Sequence, residues 1–164
     1  PNVEETSMKA SNVTRRSAIS LMAMSAMGLA AGARANQPPS IKVWKDPNCG
    51  CCTGWVDHLR QNGFIVTLTD TAAMKEVKAR LGVPPELASC HTATIGDYVI
   101  EGHVPAHAIK RLIAEKIPGR GLAVPGMPIG SPGMEGGTPE IYDVVLYGQQ
   151  PSKSYGRYKG DQPV

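Results

Sequence analysis

Apolar residues recur with two different periods along this chain, and each period predicts a different kind of element. Residues 41–44 alternate apolar and polar, as a half-buried strand does. Cys52, Trp55, Val56 and Leu59 instead fall at positions i, i+3, i+4 and i+7, which places them on one face of a helix. With Gly and Pro as breaks, the pattern predicts a strand at 41–44, a helix from 49 to about 62, a strand at 64–68, a helix at 72–81, a hairpin with strands at 92–95 and 98–100, a helix at 106–116 and a strand at 141–147.

This order of elements, β-α-β-α-β-β-α, predicts an α/β protein with a thioredoxin-like fold, in which helices flank a mixed central sheet. Two stretches fall outside the pattern. Residues 119–139 hold seven Gly, four Pro and two Met, and are therefore predicted to form a long irregular loop. Residues 149–164 are predicted to be a polar C-terminal tail.

The first 35 residues have the organisation of an export signal. A basic segment containing Arg15 and Arg16 precedes an uncharged stretch at 18–33, and Ala33 and Ala35 supply the small residues that a signal peptidase recognises. The pair of arginines fits either the general secretory or the twin-arginine route. We expect cleavage after Ala35 and a periplasmic protein whose domain spans 36–148, with no stable membrane span after cleavage.

Removal of this segment would also change the charge of the protein. The remaining chain would carry 13 basic residues (17 less four) and 12 acidic residues (14 less two), so it would be nearly neutral. No basic cluster with interleaved aromatic residues is present. The sequence therefore argues against nucleic acid as a partner.

Four cysteines carry the candidate chemistry. Cys49, Cys51 and Cys52 lie at the predicted start of a helix, where the helix dipole favours thiolates, and Cys90 lies next to His91. The C-x-x-C spacing of Cys49 and Cys52 at a strand-to-helix turn is also typical of a redox pair. Clustered thiolates bind soft metals or exchange disulfides, and a bridging thiolate can hold two Cu(I) ions at once. Zinc at Cys49, Cys52, Cys90 and His91, an iron–sulfur cluster and structural disulfides stay open as alternatives.

Two methionines and a second histidine are further candidate ligands. Met127 and Met134 each follow a Pro-Gly pair in the irregular loop, where no helical or strand period would pack them. Thioethers are soft ligands that select Cu(I), although either side chain could instead fill a gap over the core. His103 precedes a predicted helix and either binds copper or bonds to backbone, and His58 is expected to be solvated.

Five motifs occur in order along the chain. They are Cys-Gly-Cys-Cys at 49–52 followed by a Trp, Gly-Phe-Ile-Val at 63–66, Ser-Cys-His-Thr-Ala at 89–93, the segment 98–106 and the segment 121–135. With these motifs the chain resembles the CopG family of small exported bacterial copper-resistance proteins. The resemblance covers residues 41–147. It implies a thioredoxin-like fold, a cysteine-bridged copper centre and a role in periplasmic copper handling.

Two functions are therefore expected to compete. The first is a periplasmic copper-binding protein for copper resistance and homeostasis, which holds Cu(I) in a multinuclear thiolate cluster and could cycle it with Cu(II). Its partners would be copper ions and other periplasmic copper-handling proteins. The second is a thiol–disulfide oxidoreductase that acts through Cys49 and Cys52. The ligands expected for the first are Cys49, Cys51, Cys52, Cys90, Met127, Met134, His91 and His103.

Overall fold

A computed structural model describes residues 37–164, of which residues 38–164 form one compact unit of mixed α/β structure. The predicted export signal lies outside the described residues. The helices are α1 (Gly50–Gln61), α2 (Met74–Leu81) and α3 (Ala106–Glu115), with a short 3₁₀ turn at Pro85–Leu87. The strands are β1 (Ser40–Lys45), β2 (Ile65–Asp70), β3 (His91–Ile95), β4 (Tyr98–Glu101), β5 (Gly121–Ala123), β6 (Ile141–Tyr147), β7 (Lys153–Lys159) and β8 (Gln162–Pro163).

The strands form one mixed sheet, which has eight strands in the described part of the chain, in the order β2-β1-β3-β4-β5-β6-β7-β8. The pairs β1–β2 and β4–β5 are parallel, and the other neighbours are antiparallel. Since β1 and β3 run in opposite directions, the end of β1 lies beside the beginning of β3.

The central strands β4 and β5 are covered on both faces. One core cluster joins the buried faces of α1 and α3 to alternate residues of the central strands, such as Ile100 of β4. Val99, the preceding residue of β4, faces a second cluster with Val83 and Leu87 on the opposite side. This alternation follows from the two-residue period of a strand, and it explains why β4 is apolar on both faces.

The C-terminal segment corrects the prediction of a polar tail, because it forms β7 and β8. β7 pairs with β6, and its Tyr155 and Tyr158 are buried in the main core cluster. The register shifts so that Ser154 and Gly156 pair with the consecutive residues of β6, which leaves Tyr155 as an extra residue. Because of this bulge, the two buried tyrosines are three residues apart, so the sequence does not show the two-residue period of a strand. A second difference is β5, which lies within the stretch predicted to be irregular.

The other predicted elements are confirmed, with boundaries that differ by one or two residues. No helix in residues 37–164 is long and apolar enough to cross a membrane.

Candidate metal centre

Strand register brings three distant segments to one end of the sheet. His91 at the start of β3 lies opposite Lys45 at the end of β1. The chain that leaves β1 toward Cys49 therefore runs beside the chain that enters β3 through Cys90. β4 ends at this same end of the sheet, two residues before His103. The residues that the sequence separates thus meet around one point.

The turn between β1 and α1 is held from beneath by a buried lysine. The Lys45 ammonium group donates to the Asp46 carbonyl at 3.1 Å and pairs with the Asp70 carboxylate at 3.1 Å. The Cys49 N–H donates to the Asp46 carbonyl at 3.0 Å. Cys49 occupies the N-cap position of α1, and its side chain caps none of the N–H groups of the first turn.

The four sulfur atoms form a single cluster, all within 4.8 Å of one another. Cys49 and Cys52 are joined by a disulfide, whereas Cys51 and Cys90 are free. The Cys51 Sγ lies 3.4 Å from the Cys49 Sγ. All four sulfurs become available as thiolate ligands once this disulfide is reduced.

Cys90 also belongs to a second, overlapping group with two histidines. Its Sγ lies 3.2 Å from Nδ1 of His91 and 3.0 Å from Nε2 of His103. Sγ of Cys90 and a ring nitrogen of each histidine lie within 4.8 Å of one another. One sulfur is therefore shared by a thiol-rich side and an imidazole-containing side of the site.

The tautomer of His103 follows from its other hydrogen bond. His103 is wholly buried, and its Nδ1–H donates to the Pro132 carbonyl at 2.8 Å. A neutral ring that donates from Nδ1 has its lone pair on Nε2, the atom that faces Cys90. The irregular loop thus orients this imidazole through a backbone carbonyl, as outer partners orient ligating histidines in metal sites.

Burial sets the protonation states of these groups. It raises the pKa of Cys90 to about 11, reinforced by the nearby Cys51. It holds the pKa of His91 well below its ordinary value, with His103 adding to the effect, and it also lowers the pKa of His103. Both imidazoles are therefore neutral at neutral pH, the form that binds metals. The buried thiol at Cys90 stays protonated unless a cation replaces its proton.

Trp55 closes the apolar side of the site. Its buried indole lies 4.3 Å from the His91 ring, between centroids, and its Nε1–H donates to the Val104 carbonyl at 2.9 Å. The Nε2 atom of His91 is buried and lacks a hydrogen-bond partner among the described residues. An unpaired buried ring nitrogen is unusual in a folded protein.

The glycine-rich loop packs onto the first turns of α1. Gly133 lies so close to the helix backbone that a Cβ atom there would be 2.5 Å from the Cys51 carbonyl oxygen. Met134 follows directly and is half-buried, whereas Met127 is 52% exposed. Coordination by either thioether stays a prediction. The structure clusters the other predicted ligands, which are Cys49, Cys51, Cys52, Cys90, His91 and His103.

Two features were not found from the sequence. The prediction that His58 is solvated is wrong, because its Nε2 accepts the Ala106 N–H at 3.1 Å and burial lowers its pKa. The second feature is the wholly buried Glu101 carboxylate, which pairs with Lys78. Burial raises the pKa of Glu101, while Lys78 opposes the shift. The sequence feature that could have indicated this buried carboxylate is an acidic residue at the end of an apolar strand.

Clustered thiols and neutral imidazoles on a mixed α/β sheet define a protein with a cysteine-rich site able to bind metal. A family model described as "Protein of unknown function, DUF411" matches residues 87–134. No match is found among curated proteins.

Two solved structures are similar to the chain over almost their whole length. "Copper resistance protein copG- Form 1" is 47% identical with a TM-score of 0.70, and the match covers 75% of this chain and 99% of that one. "Copper resistance protein copG- Form 2" has the same identity and TM-score, with 74% and 98% covered. The chain therefore belongs to the CopG family of copper resistance proteins.

Proposed function

We propose that this protein binds Cu(I) in a multinuclear thiolate cluster and acts in periplasmic copper resistance and homeostasis. Copper is its cargo. The observation that carries the proposal is the single cluster of four sulfurs that shares Cys90 with two buried, neutral imidazoles. Sulfur ligands of this kind select Cu(I) over harder ions. The proposed ligands are Cys49, Cys51, Cys52, Cys90, His91 and His103, with Met134 and Met127 as thioether ligands.

The sulfur and imidazole groups at this site are better suited to binding a soft cation than to packing in an apolar core. Cys90 Sγ belongs both to the group of four sulfurs and to the group with His91 and His103. These two overlapping groups support more than one ion. An ion would also pair with the ring nitrogens that face the buried Cys90 sulfur, which are Nδ1 of His91 and Nε2 of His103.

Cycling between Cu(I) and Cu(II) is a further part of the proposal. Oxidation of the Cys49 and Cys52 thiols to their disulfide releases two protons and two electrons. Two Cu(II) ions need those two electrons to become two Cu(I) ions. The presence of this disulfide beside free Cys51 and Cys90 supports the idea, because the oxidised protein keeps part of its ligand set.

A thiol–disulfide oxidoreductase is the second candidate function. It is favoured by one observation, the Cys49–Cys52 disulfide at the beginning of α1, which is the position of a catalytic C-x-x-C pair. Cys51 is a poor fit to this function, because a third sulfur at 3.4 Å from Cys49 would compete in the exchange.

Copper content of Cys51→Ser separates the two functions. The reduced protein is loaded with Cu(I) without oxygen and desalted, and the copper-to-protein ratio is measured. We expect more than one copper per chain in the parent, fewer in Cys51→Ser, and the parent's ratio in Thr53→Ser, an exposed change in the same helical turn. X-ray absorption gives the oxidation state.

The oxidoreductase function makes the opposite prediction. Insulin reduction would then proceed with the parent and with Cys51→Ser, and would be abolished by Cys49→Ser. Unchanged copper content in Cys51→Ser together with this pattern would replace the copper-binding proposal by the enzyme.

The thioredoxin-like fold and periplasmic location are also proposals. The strand order β2-β1-β3-β4, with β1 and β2 parallel and β3 and β4 antiparallel, supports the fold. We propose that residues 1–35 are cleaved as a signal, and that other periplasmic copper-handling proteins are partners. N-terminal sequencing of the cellular protein tests the cleavage. Replacement of Arg15 and Arg16 by Lys should block export if the twin-arginine route is used.

A further inference from the structure

A buried carboxylate lies directly beneath the segment that carries Cys90. Glu101 is wholly buried at the end of β4, and it accepts hydrogen bonds from three other residues. The Ser89 N–H donates to Oε1 at 2.6 Å, the Lys78 ammonium of α2 donates to Oε1 at 2.5 Å, and the Thr92 hydroxyl of β3 donates to Oε2 at 2.7 Å. One side chain therefore joins α2, β3, β4 and the residue that precedes Cys90.

The segment around Cys90 is fixed through Ser89 on its other side as well. The Ser89 hydroxyl donates to the Gly126 carbonyl of the irregular loop at 2.6 Å. Gly102, which follows the carboxylate, has φ +70°, and a Cβ there would be 2.7 Å from the Ser89 side chain. The Gly102 N–H also donates to the His91 carbonyl at 3.0 Å. The place of the Cys90 sulfur thus depends on a close fit between two backbone segments.

Stability alone is a weak explanation for this carboxylate. A buried ion pair costs desolvation that its own attraction barely offsets, and well-packed apolar residues often stabilise a protein equally well. A fixed geometry at Ser89 is what apolar residues would not supply, because only an acceptor can hold the Ser89 N–H. That N–H belongs to the residue immediately before Cys90.

We propose that Glu101 is a positioning residue that fixes the Cys90 sulfur relative to the ring nitrogens of His91 and His103. The inference rests on the proposed function, because these three atoms are the shared corner of the copper site. Loss of partners that orient ligands typically lowers metal affinity by about 10- to 100-fold.

Glu101→Leu tests this role with two readouts, because leucine has no acceptor for the Ser89 N–H. The first is Cu(I) affinity of the reduced protein, measured by competition with a colorimetric Cu(I) chelator, which should fall about 10-fold or more. The second needs no metal: iodoacetamide alkylation of the metal-free protein, with Cys90 and Cys51 quantified separately by mass spectrometry. Cys90 should react several-fold faster while Cys51 keeps its rate.

Two further variants make the experiment decisive. Glu115→Leu is the matched control, since it makes the same chemical change in an exposed ion pair with Arg111 and should alter neither readout. Lys78→Met/Glu101→Leu removes both buried charges and the acceptor, so it keeps the fold if Glu101→Leu alone leaves the lysine unpaired and unfolds the protein.

The outcomes are distinct. Faster alkylation of Cys90 alone in the folded variants supports positioning, whereas equal acceleration of Cys51 and Cys90 would mean general loosening and would overturn it. The parent's alkylation rate in the double variant would also overturn it. Failure of the parent to bind Cu(I) would refute the proposed function, and the alkylation ratio would still decide the role of Glu101.

Discussion

Gly133→Ala should damage both the fold and the site, because this residue has no room for a side chain. Its φ is +87°, and an added Cβ would lie 2.5 Å from the Cys51 carbonyl oxygen and 2.6 Å from the backbone nitrogen of Trp55. A left-handed backbone costs a non-glycine residue about 1–2 kcal/mol. Overpacking costs about 1–3 kcal/mol more. We therefore expect the free energy of unfolding to fall by about 2–5 kcal/mol.

The loop can relieve this contact only by moving away from α1. Such a movement carries the Pro132 carbonyl away from His103 Nδ1, which frees the ring to change tautomer. Cu(I) affinity should therefore fall beyond the change in stability. Urea unfolding measures the first effect, chelator competition at a temperature where the variant is folded measures the second, and nitrogen NMR of the histidine rings reports the tautomer.

Gly136→Ala is the matched control in the same loop. Gly136 has φ +119°, but an added Cβ would meet no atom within 4 Å. This variant should show the backbone cost alone, about 1–3 kcal/mol, with unchanged Cu(I) affinity. Equal effects of the two substitutions would refute the idea that close packing of the loop on α1 organises the site.

Two more predictions concern the loop thioethers and the pH dependence of folding. Met134→Leu and Met127→Leu should each change stability by less than about 1.5 kcal/mol. Each should lower Cu(I) affinity more than Cu(II) affinity, with the clearer effect at the half-buried Met134. If both variants bind Cu(I) as tightly as the parent, these two residues only fill space and are not ligands. The neutral His58 ring accepts the Ala106 N–H, and burial lowers its pKa in the folded protein. The contribution of this ring to stability is therefore complete above the unfolded-state pKa of about 6.5, and it is lost as the pH falls through the lower folded-state pKa. The metal-free protein should lose stability between about pH 7.5 and 5.5, and His58→Gln should make this loss smaller, as measured by urea unfolding. His107→Gln, at an exposed site, is the control. An equally smaller loss in that variant would contradict the prediction.

Local patterns predicted the elements of the first half well, because those elements have regular periods. Trp55, Val56 and Leu59 do form the buried face of α1, and the Gly-Asp pair at 96–97 does connect two strands. The C-terminal strands escaped prediction for a physical reason. The bulge at Tyr155 breaks the two-residue period on which such a prediction depends.

The candidate site was predictable in its residue types but not in its arrangement. Thiols at the start of a helix and a thiol beside His91 identify soft-metal chemistry from local sequence. The pairing of β1 with β3 is what brings Cys90 to Cys49, and no local pattern specifies that register. The same limit applies to His58, whose role depends on the approach of α1 to α3.

The convergence of distant segments has a consequence for the life of the protein in the cell. No sulfur–imidazole corner exists in an unfolded chain, because Cys49, Cys90 and His103 meet only through the paired strands. An ion that binds only the folded chain stabilises it, by about 2.7 kcal/mol at a hundred times its dissociation constant. Proteases act on the small fraction of chains that are unfolded, so a gain of this size lengthens survival several-fold. We expect copper supply to set the abundance of the protein by slowing its degradation, even at constant synthesis.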